Sequence, residues 1–118
     1  MYRYRRNYGV TIDATEKLFK HVSKIGELFE VRGYHHRGRY IVSEHAIMFK
    51  GTLGSIRVNG FCYGYFGEGT HGLRDALIRL GIDKATADHV SFYIPQSQLG
   101  IDWQLKKQDG KWVILNGR

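Results

Sequence analysis

Two strands joined by a tight turn are predicted by residues 101–115, whose sequence is IDWQLKKQDGKWVIL. Every second residue of the first part, 101–106, is apolar, which is the two-residue period of a strand with one buried face. Asp109-Gly110 follows, and this pair favours a two-residue hairpin turn because both residues accept a positive φ. We therefore predict an antiparallel hairpin whose second strand covers residues 112–115, and the rest of the fold is built outward from it.

Further strands are predicted from alternation, from β-branched and apolar content and from a second turn signal at Asn59-Gly60. The first stretch, YRYRRNY, alternates tyrosines with arginines, so that a strand would separate rings from charges. Asn59-Gly60 predicts a hairpin between the segments that flank it. The predicted strands are residues 2–8, 39–43, 46–50, 55–58, 61–66 and 90–94.

Three helices are predicted from apolar spacing and end signals. The first covers residues 14–25, with Asp13 and Glu16 spaced as a capping box and an apolar stripe that continues to Phe29. The second covers residues 72–80 and ends at a glycine. The third is a short helix at residues 84–89, capped by an aspartate.

These elements predict an α+β fold, with a mostly antiparallel sheet and two or three helices in a single compact domain over residues 1–118. The composition, 42% hydrophobic and 25% charged, is that of an ordinary globular chain. No apolar run approaches the roughly 18–20 residues that cross a bilayer, and the start lacks the apolar core of a signal peptide. The single cysteine, Cys62, forms no internal disulfide, so we expect a cytoplasmic protein without a membrane partner.

The charge points to an anionic partner. The chain has 18 Lys and Arg against 11 Asp and Glu, a net charge of +7. Residues 1–39 hold nine basic and four acidic residues, which is +5, and residues 40–118 hold nine and seven, which is +2. A basic excess gathered in one third of the chain favours nucleic acid, a nucleotide or an acidic protein surface as the partner, although net charge for solubility would also account for it.

Two segments interleave aromatic rings with basic groups, YRYRRNY at residues 2–8 and YHHRGRY at residues 34–40. Guanidinium groups bind phosphates bidentately, and rings offer faces on which bases stack. The alternative is structural, with the tyrosines on a sheet face and the arginines extending to water. The candidate ligand-binding residues here are Arg3, Arg5, Arg6, Tyr34, His36, Arg37 and Arg39.

A glycine-rich segment supplies the other candidate site. Gly67, Gly69 and Gly72 are spaced as G-x-G-x-x-G, between a predicted strand and a predicted helix. Exposed amides at such a helix start bind anions, and His71 and Arg74 would add donors. A dinucleotide-binding domain is not predicted, because that fingerprint needs a parallel βαβ unit. The other interpretation is a glycine turn with a purely structural role, and Glu68 opposes phosphate binding.

Residues 60–77, GFCYGYFGEGTHGLRDAL, resemble the aromatic-Gly-Tyr-Gly-Gly-Ser-Gly-Pro segment of an uncharacterised family of small bacterial and phage proteins. In that family the glycine run also leads into an apolar helix. The chain departs from the pattern at Phe66, Glu68 and Thr70. The resemblance implies a phage or prophage setting, where small proteins counter host defences, and it implies no activity.

We therefore predict a non-enzymatic basic protein that binds nucleic acid or a nucleotide, with no cofactor and no metal site. No paired zinc-ligand motif and no nucleophile–base pattern is present in the sequence. Two alternatives stay open. One is an inhibitor that docks on an acidic surface of a host defence protein, and the other is a small nucleotide-acting enzyme that uses His71 as its acid or base.

Overall fold

The computed structural model describes residues 1–7, 11–37, 43–61, 68–92 and 100–116. In these ranges the chain forms six strands and three α-helices. The strands are β1 (Tyr2–Asn7), β2 (Leu28–Arg37), β3 (Ser43–Gly51), β4 (Gly54–Asn59), β5 (Gly100–Gln108) and β6 (Lys111–Asn116). The helices are α1 (Thr11–His21), α2 (Glu68–Arg79) and α3 (Lys84–Ser91), and a 3-10 turn (Val22–Ile25) continues α1.

The six strands form one sheet in the order β1-β4-β3-β2-β5-β6. The edge pair β1–β4 is parallel, and the other four pairs are antiparallel. This architecture confirms the predicted α+β class with its mostly antiparallel sheet.

All three helices bury their apolar residues in one core, against one face of the sheet. The sheet contributes alternate residues to that core, which is the expected result of the two-residue period of a strand. The buried core residues of the sheet include Val31, Ile47, Phe49, Ile56, Val58, Trp103 and Leu105, and those of the helices include Ala14, Leu18, Leu73, Leu77, Ala87 and Val90. The opposite side of the sheet, which none of the described helices covers, is called the open face below.

Trp103 is the largest buried side chain, and it lies against the backbone of β2. Its indole ring occupies the space that a Cβ atom would take on Gly33, its register partner. The register between β2 and β5 shifts immediately beyond this pair, so that Tyr34 lies opposite Ile101 and Asp102 is the extra residue of a β-bulge. The bulge therefore moves Ile101 from the core face to the open face, where 44% of its surface is exposed.

The hairpin predicted at residues 101–115 is confirmed. β5 and β6 pair antiparallel, and Asp109 and Gly110 have φ of 52° and 79°, as the turn signal requires. The helix predicted at 84–89 is also confirmed, as α3, and the side chain of Asp83 accepts a hydrogen bond from the amide of Thr86 at 3.1 Å. The strand predicted at 2–8 is β1, which ends at Asn7.

The first two helices begin earlier than predicted. α1 begins at Thr11, whose hydroxyl donates to the Gly60 carbonyl at 2.9 Å and ties the helix start to the end of β4. Asp13 therefore lies in the first turn rather than at a capping position. The prediction that the apolar stripe of the first helix continues to Phe29 was also wrong beyond Ile25. Gly26 adopts φ 78°, and Phe29 belongs to β2. α2 likewise begins at Glu68 rather than at residue 72.

The hairpin predicted at Asn59-Gly60 and part of one predicted strand are wrong. Residues 55–58 lie in a strand as predicted, but β4 pairs with β1 on one side and with β3 on the other, so neither of its edges is left for a hairpin partner. The turn that does form joins β3 to β4 at Thr52-Leu53. Residues 90–91 are helical, because Val90 completes the buried face of α3. Most of the strand predicted at 39–43, residues 62–66 and residues 93–94 lie outside the described ranges.

Adding a methyl group at Gly33 tests the packing of Trp103. We expect Gly33→Ala to lower the free energy of unfolding by about 1–3 kcal/mol, because its Cβ would overlap the indole ring. In a Trp103→Phe background the same change should cost less, since the smaller ring vacates that space. Urea denaturation of the four proteins in this double-mutant cycle measures the difference. Additive effects of the two substitutions would contradict the proposed contact.

The Asp83 cap predicts a specific pH dependence. Hydrogen bonds from the Thr86 hydroxyl and then its amide hold the pKa of Asp83 below its ordinary value. We expect Asp83→Ala to lower the free energy of unfolding by about 1 kcal/mol at neutral pH. This deficit should shrink as the pH falls below about 3.9, where half of the Asp83 carboxylates are protonated in the unfolded chain, and it should be lost as the pH passes the lower pKa of the folded state. Asp83→Asn is the control, because it keeps an acceptor that does not titrate, and acid titrations of unfolding compare the three proteins.

Candidate functional site

Two rows of polar side chains cross the open face, because residues in register on neighbouring strands project from the same side. The first row runs from β1 to β5 and consists of Arg5, Arg57, Met48, Arg32 and Gln104. The second row lies beside it and consists of Arg3, Ser55, Lys50, Glu30 and Lys106. The two rows together contain six cations and one carboxylate. The open face is therefore strongly positive across five strands.

Crowding of like charge is greatest at the β1–β4 end. Arg5 donates to the Ser55 hydroxyl at 2.9 Å and to the carbonyls of Tyr4 and Ser55 at 3.0 and 3.3 Å. Burial lowers the pKa of the Arg5 guanidinium below its ordinary value, and the charges of Arg3 and Arg57 lower it further. Tyr34 acts in the opposite direction and raises the pKa of Arg5.

Arg57 adds a buried hydrogen-bond donor at the β1–β4 end of the open face. Its Nε atom is buried and meets no hydrogen-bond acceptor among the described residues. A buried N–H without an acceptor costs about 1–3 kcal/mol relative to one that is satisfied. The fold therefore keeps a cation here at a cost in stability, beside a second cation on β1.

Glu30 is the single carboxylate in the two rows, and it is only 4% exposed. It forms an ion pair with Arg32 and a second one with Lys50 Nζ at 3.8 Å. One carboxylate thus partly offsets the charges of Arg32 and Lys50 within the protein. By contrast, Arg3 is exposed, and it has no hydrogen bond or ion pair in the part of the chain that the structure describes.

Two adjoining cavities open on this face. The larger has a volume of about 600 Å³ and is lined by Arg3, Arg5, Phe29, Met48 and Lys50, among others. The smaller, of about 260 Å³, is lined by Arg32, Tyr34, Met48, Lys50 and Ile101. Met48 and Lys50 line both cavities, so the two form one groove that runs across the strands.

The structure brings together three of the residues predicted from sequence, since Arg3, Arg5 and Tyr34 all line this groove. The backbones of Arg6, His36 and Arg37 lie in β1 and β2, and their side chains are not among those described. Arg39, Gly67 and Cys62 lie outside the described residues.

The remaining candidates lie on α2, in the helical layer on the other side of the sheet. Gly69 and Gly72 lie inside the helix rather than in a loop, which corrects the predicted turn. A Cβ on Gly72 would overlap Thr11 Cγ2, so this glycine allows α1 and α2 to approach closely. Arg74 pairs with Asp75 at 3.2 Å and lies 3.9 Å from Asp88, while the ring of His71 contacts Phe92 edge-on.

Several residues of the groove were not predicted from the sequence, namely Phe29, Arg32, Met48, Lys50 and Ile101. A usable signal existed for one of them, Arg32, since Glu30, Arg32 and Tyr34 alternate with Val31 and Gly33 as the outward residues of a strand would. The others became recognisable only when register placed their strands side by side.

No family model, no curated protein and no solved structure matches the chain. The resemblance of residues 60–77 to a family of small phage proteins stays a prediction. Within the described residues, no helix is long and apolar enough to span a membrane, and no cluster of three or more metal-ligating side chains occurs.

A substitution at Arg57 tests whether the open face keeps its charge at the expense of stability. We expect Arg57→Met to raise the free energy of unfolding by about 1 kcal/mol, because it removes a buried donor without an acceptor and a charge beside Arg5. Lys50→Met is the matched control, because it also removes one cation from the open face. It removes the ion pair between Lys50 and the buried Glu30, so it should lower the free energy of unfolding. Urea denaturation distinguishes the two, and a loss of stability in both would contradict this account.

Proposed function

We propose that this protein binds nucleic acid on the open face of its sheet, as a binding protein rather than as an enzyme. The observation that carries the proposal is the pair of rows across the strands, with six cations against one carboxylate. Phosphate groups are the natural complement of such a surface, because guanidinium groups donate paired hydrogen bonds to them.

The distribution of ion pairs supports the open face over the helical layer as the binding surface. On α2 and α3, Arg74 and Lys84 already pair with nearby aspartates. On the open face, Arg3 is exposed and the Nε atom of Arg57 has no acceptor in the described residues. A phosphate group at that end of the groove would reduce the repulsion among Arg3, Arg5 and Arg57.

The groove favours a ligand longer than a single nucleotide. It extends over two cavities that share Met48 and Lys50, and the cations that line it come from three strands, β1, β2 and β3. Neighbouring strands are about 4.8 Å apart, so the row of cations is long enough to contact several phosphates. A polyanion engages all of these charges at once, whereas one nucleotide reaches only a part of them.

Removal of Arg3 tests this proposal, because its side chain is exposed and its loss should leave the fold intact. We expect Arg3→Ala to weaken binding of a fluorescent oligonucleotide and to lower the slope of log K against log salt concentration by about 1. Lys20→Ala is the matched control, since it makes the same change in net charge at an exposed position on α1. Fluorescence anisotropy at several salt concentrations measures both.

Equal effects of the two substitutions would show attraction by net charge alone and would overturn the assignment to the open face. Binding that does not depend on salt would overturn the polyanion itself and would favour docking on a protein surface. Release of nucleotide products during the incubation would overturn the non-enzymatic part of the proposal.

A further inference from the structure

We infer that the nucleic acid is single-stranded, and that the smaller cavity receives an unpaired base against Tyr34 while the cationic end of the groove holds the neighbouring phosphates. This inference rests on the proposed function, and it adds a division of the groove into two subsites with different chemistry. The smaller cavity is called the base subsite below, and the larger one the phosphate subsite.

The two subsites differ in how much of their positive charge is offset. In the base subsite, the cations are Arg32 and Lys50, and both pair with the buried Glu30. In the phosphate subsite, Arg3 and Arg5 line the wall, and their direct register partners on β4 are Ser55 and Arg57, neither of which is acidic. Phosphate is therefore attracted more strongly to the β1–β4 end of the groove than to its β2–β5 end.

The base subsite has the walls that a flat, weakly polar group needs. Tyr34 supplies an aromatic ring, Met48 a polarisable thioether and Ile101 an aliphatic wall. Aromatic rings stack on nucleic acid bases, and sulfur atoms make favourable contacts with rings. The guanidinium of Arg32 and the ammonium of Lys50 lie at the same cavity, where they would face the polar edge of the base.

Ile101 is an independent sign that this part of the open face takes an apolar group. It is 44% exposed on a surface otherwise made mostly of charged and polar residues. Without the bulge at Asp102 it would point to the helical side with Trp103, where it would be buried. β-Bulges commonly re-aim a side chain next to a functional site, and this one places Ile101 beside Tyr34.

A recessed cavity with these walls selects for a single strand. In a duplex the bases are stacked on one another and only their edges and the backbone face outward, so Tyr34 would have no base plane to contact. A base of a single strand turns out of the stack at a much smaller cost. The close approach of the two subsites, which share Met48 and Lys50, fits a base and the phosphates beside it on one chain.

The test compares four probes of similar charge with three proteins. The probes are a short oligothymidylate, the same length of abasic sugar-phosphate chain, a duplex and inorganic polyphosphate. The proteins are the unchanged chain, Tyr34→Ala and Tyr34→Phe. We expect the unchanged protein to bind oligothymidylate more tightly than the abasic chain and the duplex. Tyr34→Ala should weaken oligothymidylate binding by about 5- to 150-fold, which corresponds to the loss of one stacked base.

The other measurements distinguish the loss of a base subsite from a general effect of the Tyr34 substitutions on the fold or on the charge. Tyr34→Phe keeps the ring and should bind oligothymidylate within about twofold of the unchanged protein. Tyr34→Ala should leave the affinities for the abasic chain and for polyphosphate unchanged, because these ligands have no base to stack. Equal loss for all four probes would mean that Tyr34 only supports the fold, and it would overturn the inference.

The failure of this inference is distinguishable from a failure of the proposed function. If all four probes bind alike, and Arg3→Ala weakens each of them, the base subsite is refuted while polyanion binding stands. If Arg3→Ala changes none of the affinities, the proposed function fails and the inference fails with it.

Discussion

The contact between the Trp103 indole and the bare backbone of Gly33 holds the two halves of the sheet together. Trp103 lies on β5 and Gly33 on β2, so the contact joins the β5–β6 hairpin to the other four strands of the sheet. The ring is fully buried, and burial of a large aromatic side chain is among the largest single contributions to a core. The shift in strand register begins at the next residue and decides which side chains reach the open face.

The two faces of the sheet differ in whether their interactions stabilise the fold. On the helical side, apolar residues from every helix meet those of the central strands, and burial provides the free energy of folding. On the open face, cations lie next to one another, and a buried guanidinium Nε has no acceptor in the described part of the chain. Glu30 offsets the charge at one end only. Proteins commonly carry such locally unfavourable arrangements where they bind a partner, and the stability of the core compensates for them.

The cluster at the edge of the sheet shows how the helical layer and β1 fit together. Tyr2 and Tyr4 point toward the helices, where His21 stacks on Tyr4 with a ring separation of 4.0 Å. Lys24 lies over the ring of Tyr2 at 5.6 Å. The alternation of YRYRR thus separates the two functions of this strand, since its tyrosines secure the edge to α1 and its arginines at positions 3 and 5 belong to the groove.

Sequence by itself determined the features that depend on neighbouring residues alone. The alternation in β1, the Asp109-Gly110 turn and the Asp83 cap were all predictable, because each is stabilised within a few residues of chain. The whole of β2 was missed, and at its start Leu28 and Phe29 continue the helical spacing of α1, with only Gly26 to mark the end of the helical segment. Tertiary structure alone decided which strands are neighbours, that β4 lies between β1 and β3, and that Lys50 and Ile101 line one cavity with Tyr34. The physical reason is that strand pairing and register depend on contacts between residues far apart in the chain, and a shift of one residue moves a side chain to the other face.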